Sequence, residues 1–213
     1  MALIHQATVR PSKAELLGAW LGAQPWGPGE DPDLELVGAY RFDDPAGRVG
    51  LETHLVRAAG QLWQVALTYR DAPLPDHEAA LVGRMRHSVL GERWVYDGCA
   101  DPAYVRMLAA TALTGVGQSV GVMEVDGRSR LLPPTVRLSG AGWIGEPIDI
   151  SGFGSPTRDD DGIAVLRSSV VELRFLHRPR PASDASEDAP FVVRGIWAGQ
   201  SEPHVLATAS VLR

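Results

Sequence analysis

Apolar and polar residues alternate along this chain with two different periods, and the change of period lays out its elements. Leu16, Leu17, Trp20 and Leu21 recur at helical spacing behind Ser12-Lys13-Ala14-Glu15. That tetrapeptide is a capping box, in which the serine accepts from an early helical amide and the glutamate reaches back. The pattern predicts an amphipathic helix over 12–22, closed by the loop residues 27–33. From residue 34 the period falls to two. Residues 34–42, 49–58 and 62–69, separated by Asp43-Asp44-Pro45-Ala46-Gly47 and Ala59-Gly60, predict a three-stranded antiparallel meander with one buried face. Residues 76–83 read as a helical turn or two, and 88–96 as a strand carrying Trp94 and Tyr96. Asp101-Pro102 then supplies an acidic cap and a proline at the first helical position. Tyr104, Val105, Leu108, Ala109, Ala112 and Leu113 carry a helix on to about residue 114.

Beyond a glycine-punctuated connector, 115–121, strand patterning takes over. Residues 121–125 and 129–138 flank Asp126-Gly127, a two-residue hairpin signal. Strands over 163–177, 191–198 and 204–212 follow, with loops at 151–162 and 178–190, the latter rich in Pro, Ala, Ser and acid. The fold class is therefore α+β: a curved, mostly antiparallel β-sheet with two or three short helices and a β-rich C-terminal half. We divide the chain at 1–118 and 119–213, the second part extending the same compact body.

Composition narrows function more than fold. The 213 residues include 20 basic and 26 acidic side chains, a formal charge of −6. That leaves no general basic footprint for nucleic acid. Cys99 is the sole cysteine, which excludes an internal disulfide framework and a cysteine-built zinc site. The first residues lack a secretory pattern, and no apolar run reaches the roughly 18–20 residues that cross a bilayer. A cytoplasmic location without a membrane partner is the expectation. Lys13 is the sole lysine, and asparagine is absent.

Motifs that suggest chemistry have plainer explanations. Gly117-Gln118-Ser119-Val120-Gly121 matches the G-x-S-x-G nucleophile elbow, but a helix precedes it and strands follow, the reverse of what that elbow requires. Gly115-Val116-Gly117 misses the dinucleotide fingerprint by one residue. The acids gather in turns, where their side chains bond local amides. The run Asp159-Asp160-Asp161 lacks the spacing and closing glutamate of a calcium loop. His5, His54, His77, His87, His177 and His204 show no metal-binding spacing. No metal and no cofactor are expected. Trp26, Trp63, Trp94, Trp143 and Trp197 combine an apolar plane with a polar edge, as sugar-stacking residues do, yet core packing explains most tryptophans in a chain of this size.

The segment His87-Ser88-Val89-Leu90-Gly91-Glu92-Arg93-Trp94-Val95-Tyr96-Asp97, followed by Asp101-Pro102, resembles the N-terminal cap domain of bacterial maltokinases. Gln64-Val65-Ala66-Leu67-Thr68-Tyr69-Arg70 looks like the cap's central strand. The similarity covers roughly residues 1–115. Nearly the whole chain is similar to maltokinase N-terminal cap-like proteins of about this length, which often carry a glucan-branching label. In maltokinases the resemblance assigns ATP and maltose to the kinase lobes that follow the cap. Phosphoryl transfer of that kind needs a lysine on a strand, a catalytic aspartate and an Asn/Asp pair for magnesium. Here Lys13 opens a helix, no asparagine exists, and no histidine precedes an aspartate by two residues.

Three roles follow, in this order. The first is a non-catalytic binding or regulatory module linked to maltose, trehalose or glycogen metabolism. It would dock on a maltokinase or another pathway enzyme, or on a second copy of itself. The second is a small-ligand or sugar-binding protein with a pocket on the concave sheet face near Trp63, Tyr69 and Trp94. The third is an independent enzyme, glucan-active or hydrolytic. Trp63, Tyr69, Arg70, His87, Arg93, Trp94 and Tyr96 are the candidate ligand- or partner-binding residues; none is assigned a catalytic role.

Overall fold

A computed structural model of the chain describes residues 2–3, 7–125, 128–140, 142, 148–159, 161–184 and 190–212. In chain order the elements are β1 (Ala2–Leu3), β2 (Val9–Arg10), α1 (Lys13–Gly22), β3 (Glu35–Phe42), β4 (Gly50–Ala58), β5 (Gln61–Arg70), β6 (Leu81–His87), β7 (Gly91–Asp97) and α2 (Pro102–Thr114). The second half adds β8 (Gly121–Val125), β9 (Arg128–Leu132), β10 (Val136–Gly140), β11 (Thr157–Arg158), β12 (Ala164–Arg167), β13 (Val171–Pro181), β14 (Phe191–Trp197) and β15 (His204–Val211). The fold is α+β, with curled antiparallel sheet as its main component.

Two six-stranded antiparallel sheets carry the architecture, ordered β2-β6-β7-β5-β4-β3 and β10-β14-β15-β13-β12-β11. A third, small sheet joins β1 in parallel to β8, which pairs with β9. Val125 stands opposite Arg128, while the expected turn residues Asp126 and Gly127 lie outside the described residues. Alternation along the first sheet makes two apolar faces. Tyr40, Phe42, Leu51, Leu55 and Ala66 pack against α2 and against Leu166, Leu173, Phe175, Val193 and Leu206 of the second sheet. Val56, Trp63, Val65, Leu67, Met85 and Val95 point the other way, under Leu16, Leu17 and Leu21 of α1. The larger core thus draws side chains from both sides of residue 118.

Both helices are bounded by the signals in the sequence. Ser12 and Glu15 form the full capping box on α1. Asp101 caps α2 with proline behind it, and Gly115, at φ 70°, ends that helix in the left-handed conformation that favours glycine. Four strand boundaries differ from the expectation. Residues 76–83 keep only a three-residue 3₁₀ turn, Glu78–Ala80, before β6 begins. Met85 is the single buried residue of β6, so the alternation that marks a strand was too sparse. The strand expected over 88–96 starts at Gly91, which takes a positive φ in the preceding turn. Pro133 and Pro134 lack amide hydrogens and split the 129–138 strand into β9 and β10. Ser168 Oγ accepts from the amides of Val170 and Val171, turning the 163–177 strand into the β12–β13 hairpin.

A polar chain crosses the interior where the sheets meet. Gln64 of β5 is fully buried. Its Nε2 donates to the carbonyls of Leu176 (3.1 Å) and Leu206 (3.0 Å) in the second sheet, and its Oε1 accepts from the Tyr40 hydroxyl at 3.2 Å. Its own carbonyl lies 2.9 Å from His177 Nδ1, which fixes that nitrogen as the protonated one. His177 Nε2 then accepts from Arg158 Nη1 at 2.7 Å, and Arg158 Nη2 reaches Asp97 Oδ2 at 2.7 Å. Burial, seconded by the Arg158 charge, pushes the His177 pKa down to about 3.

Two outcomes are expected. Gln64→Ala orphans two buried carbonyls and opens a cavity, so urea unfolding will show a loss of about 2–4 kcal/mol. His177 is neutral when folded, whereas its unfolded value is 6.5. The unfolded chain takes up the extra proton, so this contribution is complete above that value and is lost as pH falls from there toward about 3. The slope reaches at most ~1.4 kcal/mol per pH unit. Urea titrations between these limits will show that slope reduced in His177→Gln.

Candidate functional site

The cross-strand register decides which side chains of the β2-β6-β7-β5 end share a face. Arg70 of β5 stands opposite Trp94 of β7, and Trp94 opposite Arg84 of β6. Glu92 is opposite Arg86, and Arg86 opposite Arg10 of β2. Paired residues in an antiparallel ladder lie on the same side. Arg10, Arg84, Arg86, Glu92, Trp94 and Arg70 therefore form one surface. It is the face turned away from α1, since the neighbouring Met85 and Val95 fill the core beneath that helix. Arg10, Arg84 and Arg86 are exposed and Trp94 is half-buried. The Arg84 guanidinium lies over the Trp94 ring, 5.5 Å from its centroid. None of these three arginines enters an ion pair among the described residues. Arg10 and Arg86 face each other as like charges, an arrangement that costs stability in an isolated sheet.

Beside this surface the β6–β7 turn is fastened from within. His87 Nδ1 accepts from the amides of Val89 (3.2 Å) and Leu90 (3.0 Å). The turn leaves Val89 56% and Leu90 44% exposed at its tip. At the other end, Arg70 is held by Asp101 through Nε (2.7 Å) and Nη2 (2.6 Å). Asp101 is buried and also accepts from Thr68 Oγ1 at 2.6 Å. These bonds raise the Arg70 pKa against the opposing effect of burial.

The seven residues expected from the sequence do not gather in one concavity. Trp63 is 1% exposed beneath α1, with Nε1 donating to the Ala58 carbonyl at 3.2 Å and Arg178 over its ring at 4.5 Å. Tyr69 shares that face, its hydroxyl 3.2 Å from His54 Nε2. Trp94 points to the opposite side, so a pocket common to Trp63, Tyr69 and Trp94 is not formed; strand alternation separates them. Arg93 stands opposite Met85, off the arginine face, with Nη1 donating to the Glu92 carbonyl. Tyr96 is buried, and its hydroxyl accepts from the Leu74 amide at 2.9 Å. Arg70 and Trp94 thus belong to the open face, and His87 to the turn beside it.

The sequence reading missed a polar cluster beneath α1. Glu52 is buried and receives Lys13 Nζ, Arg41 Nε and Nη2, and His54 Nε2 at 3.2 Å. Burial works to raise its pKa, yet His54, Lys13 and Arg41 together hold it well below the usual carboxylate range. The signal was present: Glu52 and His54, two residues apart, share the face of β4 that carries Val56 and Ala58. The chain's sole lysine is tied to this carboxylate. Nearby, Trp26 stacks on His177 at 4.2 Å beside a hollow of about 470 Å³ that Gln24, Arg158 and Asp159 also line.

The remaining motifs settle into structural roles. Ser119 Oγ donates to Asp43 Oδ1 at 2.6 Å and its amide to the Arg41 carbonyl, which ties the 115–121 connector to β3. Asp159 accepts from the Asp161 and Ile163 amides and pairs with Arg174, while Asp160 lies outside the described residues. So do His5 and Trp143. Among the described residues no cluster of His, Cys, Asp and Glu is arranged to hold a metal, and no helix is long and apolar enough to cross a membrane.

In this α+β fold a helix-backed antiparallel sheet presents a face richer in arginine than in acid. Residues 20–101, from the end of α1 to the cap of α2, match the maltokinase N-terminal cap domain, so this part of the chain is cap-like. No curated protein matches the chain.

Proposed function

We propose that this chain is a non-catalytic binding or regulatory module linked to maltose, trehalose or glycogen metabolism. It docks through the Arg10–Arg84–Arg86–Trp94 face onto an acidic surface of a maltokinase or another enzyme of that metabolism. One observation carries the reading: three exposed arginines outside any ion pair among the described residues share a face with a half-buried tryptophan, against the single acid Glu92, on the sheet that contains the cap-matching strands. Tryptophan and arginine dominate binding energy at protein interfaces because each combines a large contact area with polar recognition. An acidic partner also relieves the Arg10–Arg86 repulsion, so charge neutralisation adds to affinity and speeds encounter. The kinase requirements support a non-catalytic role, since Lys13 is engaged by Glu52 and this chain has no asparagine to hold magnesium.

Sedimentation of the purified chain with a maltokinase or a trehalose-pathway enzyme tests the reading. A saturable complex at micromolar concentration is expected, weakening as salt rises. Arg84→Glu with Arg86→Glu, and separately Trp94→Ala, will weaken it by about tenfold or more. No complex with any pathway enzyme overturns the proposal, as does a complex indifferent to both variants. A dimer of the chain alone that the charge reversal abolishes makes a second copy the occupant and overturns the enzyme-docking form.

A further inference from the structure

Past the end of β5, Arg70 also lines a separate hollow of about 180 Å³, enclosed by Asp44, Pro45, Ala46, Arg48 and Val49 of the β3–β4 turn and by Ala103 and Arg106 of α2. Three arginines line it, from β5, from the β3–β4 turn and from α2. Arg48 and Arg106 are exposed and enter no ion pair among the described residues. Arg70 is rigidly mounted: Asp101 takes its Nε and Nη2, and Nη1 has no part in that pair.

The acids nearby are committed elsewhere. Asp44 Oδ1 accepts from the Ala46 amide (3.0 Å), and Oδ2 from those of Arg48 (2.9 Å) and Val49 (3.0 Å). Asp44 therefore shapes the turn. Partial burial works to raise its pKa, but these amide bonds, joined by the nearby Arg48 charge, outweigh it and hold it low. Asp149 influences Arg106 from beyond ion-pair distance and is bonded to the amide and hydroxyl of Ser151. Arg48, Arg70 and Arg106 against Asp44 and Asp101 leave an excess of one positive charge around the hollow, with Asp149 acting on Arg106 from further off.

We infer that this hollow binds the phosphoryl group of a small phosphorylated molecule. The guanidinium fork matches the spacing of phosphate oxygens, and a phosphoryl dianion can engage several forks at once where a carboxylate offers a single charge. Pro45, Ala46, Val49 and Ala103 supply the apolar part of the lining beside the arginines. The Asp101 and Asp44 bonds fix Arg70 and the turn before any ligand arrives, which lowers the entropy lost on binding.

Inorganic phosphate is the probe, titrated into the purified chain by calorimetry at constant ionic strength. Saturable binding is expected, with sulfate competing and chloride not. In Arg48→Ala and Arg106→Ala the dissociation constant will rise about tenfold each, and the double variant will not bind. Both side chains are exposed, so unchanged thermal unfolding without phosphate will establish that the variants fold. Absence of saturable binding, competition by chloride, or full binding in the folded double variant overturns the inference. The assay uses the chain alone and residues outside the docking face, so either proposal can fail without the other.

Discussion

The fold depends on how Gln64 is satisfied. A primary amide without partners in the contact between two sheets leaves unmet donors and an unmet acceptor in low dielectric, at a cost of several kcal/mol. Here two of its partners are main-chain carbonyls of β13 and β15. A main-chain carbonyl cannot turn aside as a side chain can, so this bond fixes the relative position of the sheets as well as their association. Apolar contacts between Leu55 and Ala66 on one side and Phe175 and Leu206 on the other supply most of the favourable energy, but apolar packing tolerates sliding. The amide selects one register. His177, Arg158 and Asp97 then continue the polar chain from the interior to the edge of β7.

That chain explains why the β-rich second half and the cap-matching region meet as they do. Arg158 comes from the short β11, His177 from the middle of β13 and Asp97 from the end of β7. Three segments distant in sequence are joined at one guanidinium. The neutral His177 ring also stacks on Trp26, in the loop after α1, so the helix layer is linked to the same network. A charged imidazole there would face Arg158 at hydrogen-bond distance, which is why burial and that guanidinium act in the same direction on it.

Local signals made the helices and the central meander legible in the sequence. The Ser12–Glu15 box and Asp101-Pro102 are short-range devices whose partners lie within a few residues. β4 and β5 likewise carry their signal locally, in Leu51, Leu55 and Val56 and in Trp63, Val65 and Leu67. What was not legible depended on partners far along the chain. Met85 alone does not announce a strand; β6 exists because β7 pairs with it, and Leu16 of α1 lies close over Gly83. Gln64 looked like an ordinary residue of a central strand until its two acceptors arrived from more than a hundred positions later. The candidate site divides in the same way. Trp94 and His87 stood out as members of a motif, but the face they serve is defined by Arg10 and Arg86, brought opposite each other only by β2–β6 pairing. The separation of Trp63 from Trp94 follows from strand parity, once the register of β5 against β7 is known.

The two sides of the first sheet solve opposite electrostatic problems. Beneath α1, one buried carboxylate gathers a lysine, an arginine and a histidine, and the cluster is closed: Glu52 has no capacity left for a visitor. On the far side, Arg10, Arg84 and Arg86 keep their charges in water, where solvation makes them tolerable, and Trp94 keeps part of its ring exposed. A sheet end meant only to be stable would replace one of the Arg10–Arg86 pair with an acid, because opposite charges across strands are favourable and like charges are not. Glu92 already stands opposite Arg86 on its other side, across β6–β7, without closing an ion pair, so the face holds three exposed arginines against one acid. The excess of arginine over acid is therefore a feature the fold carries at a small cost in stability. Its return comes only on contact with negative charge, as the docking reading requires.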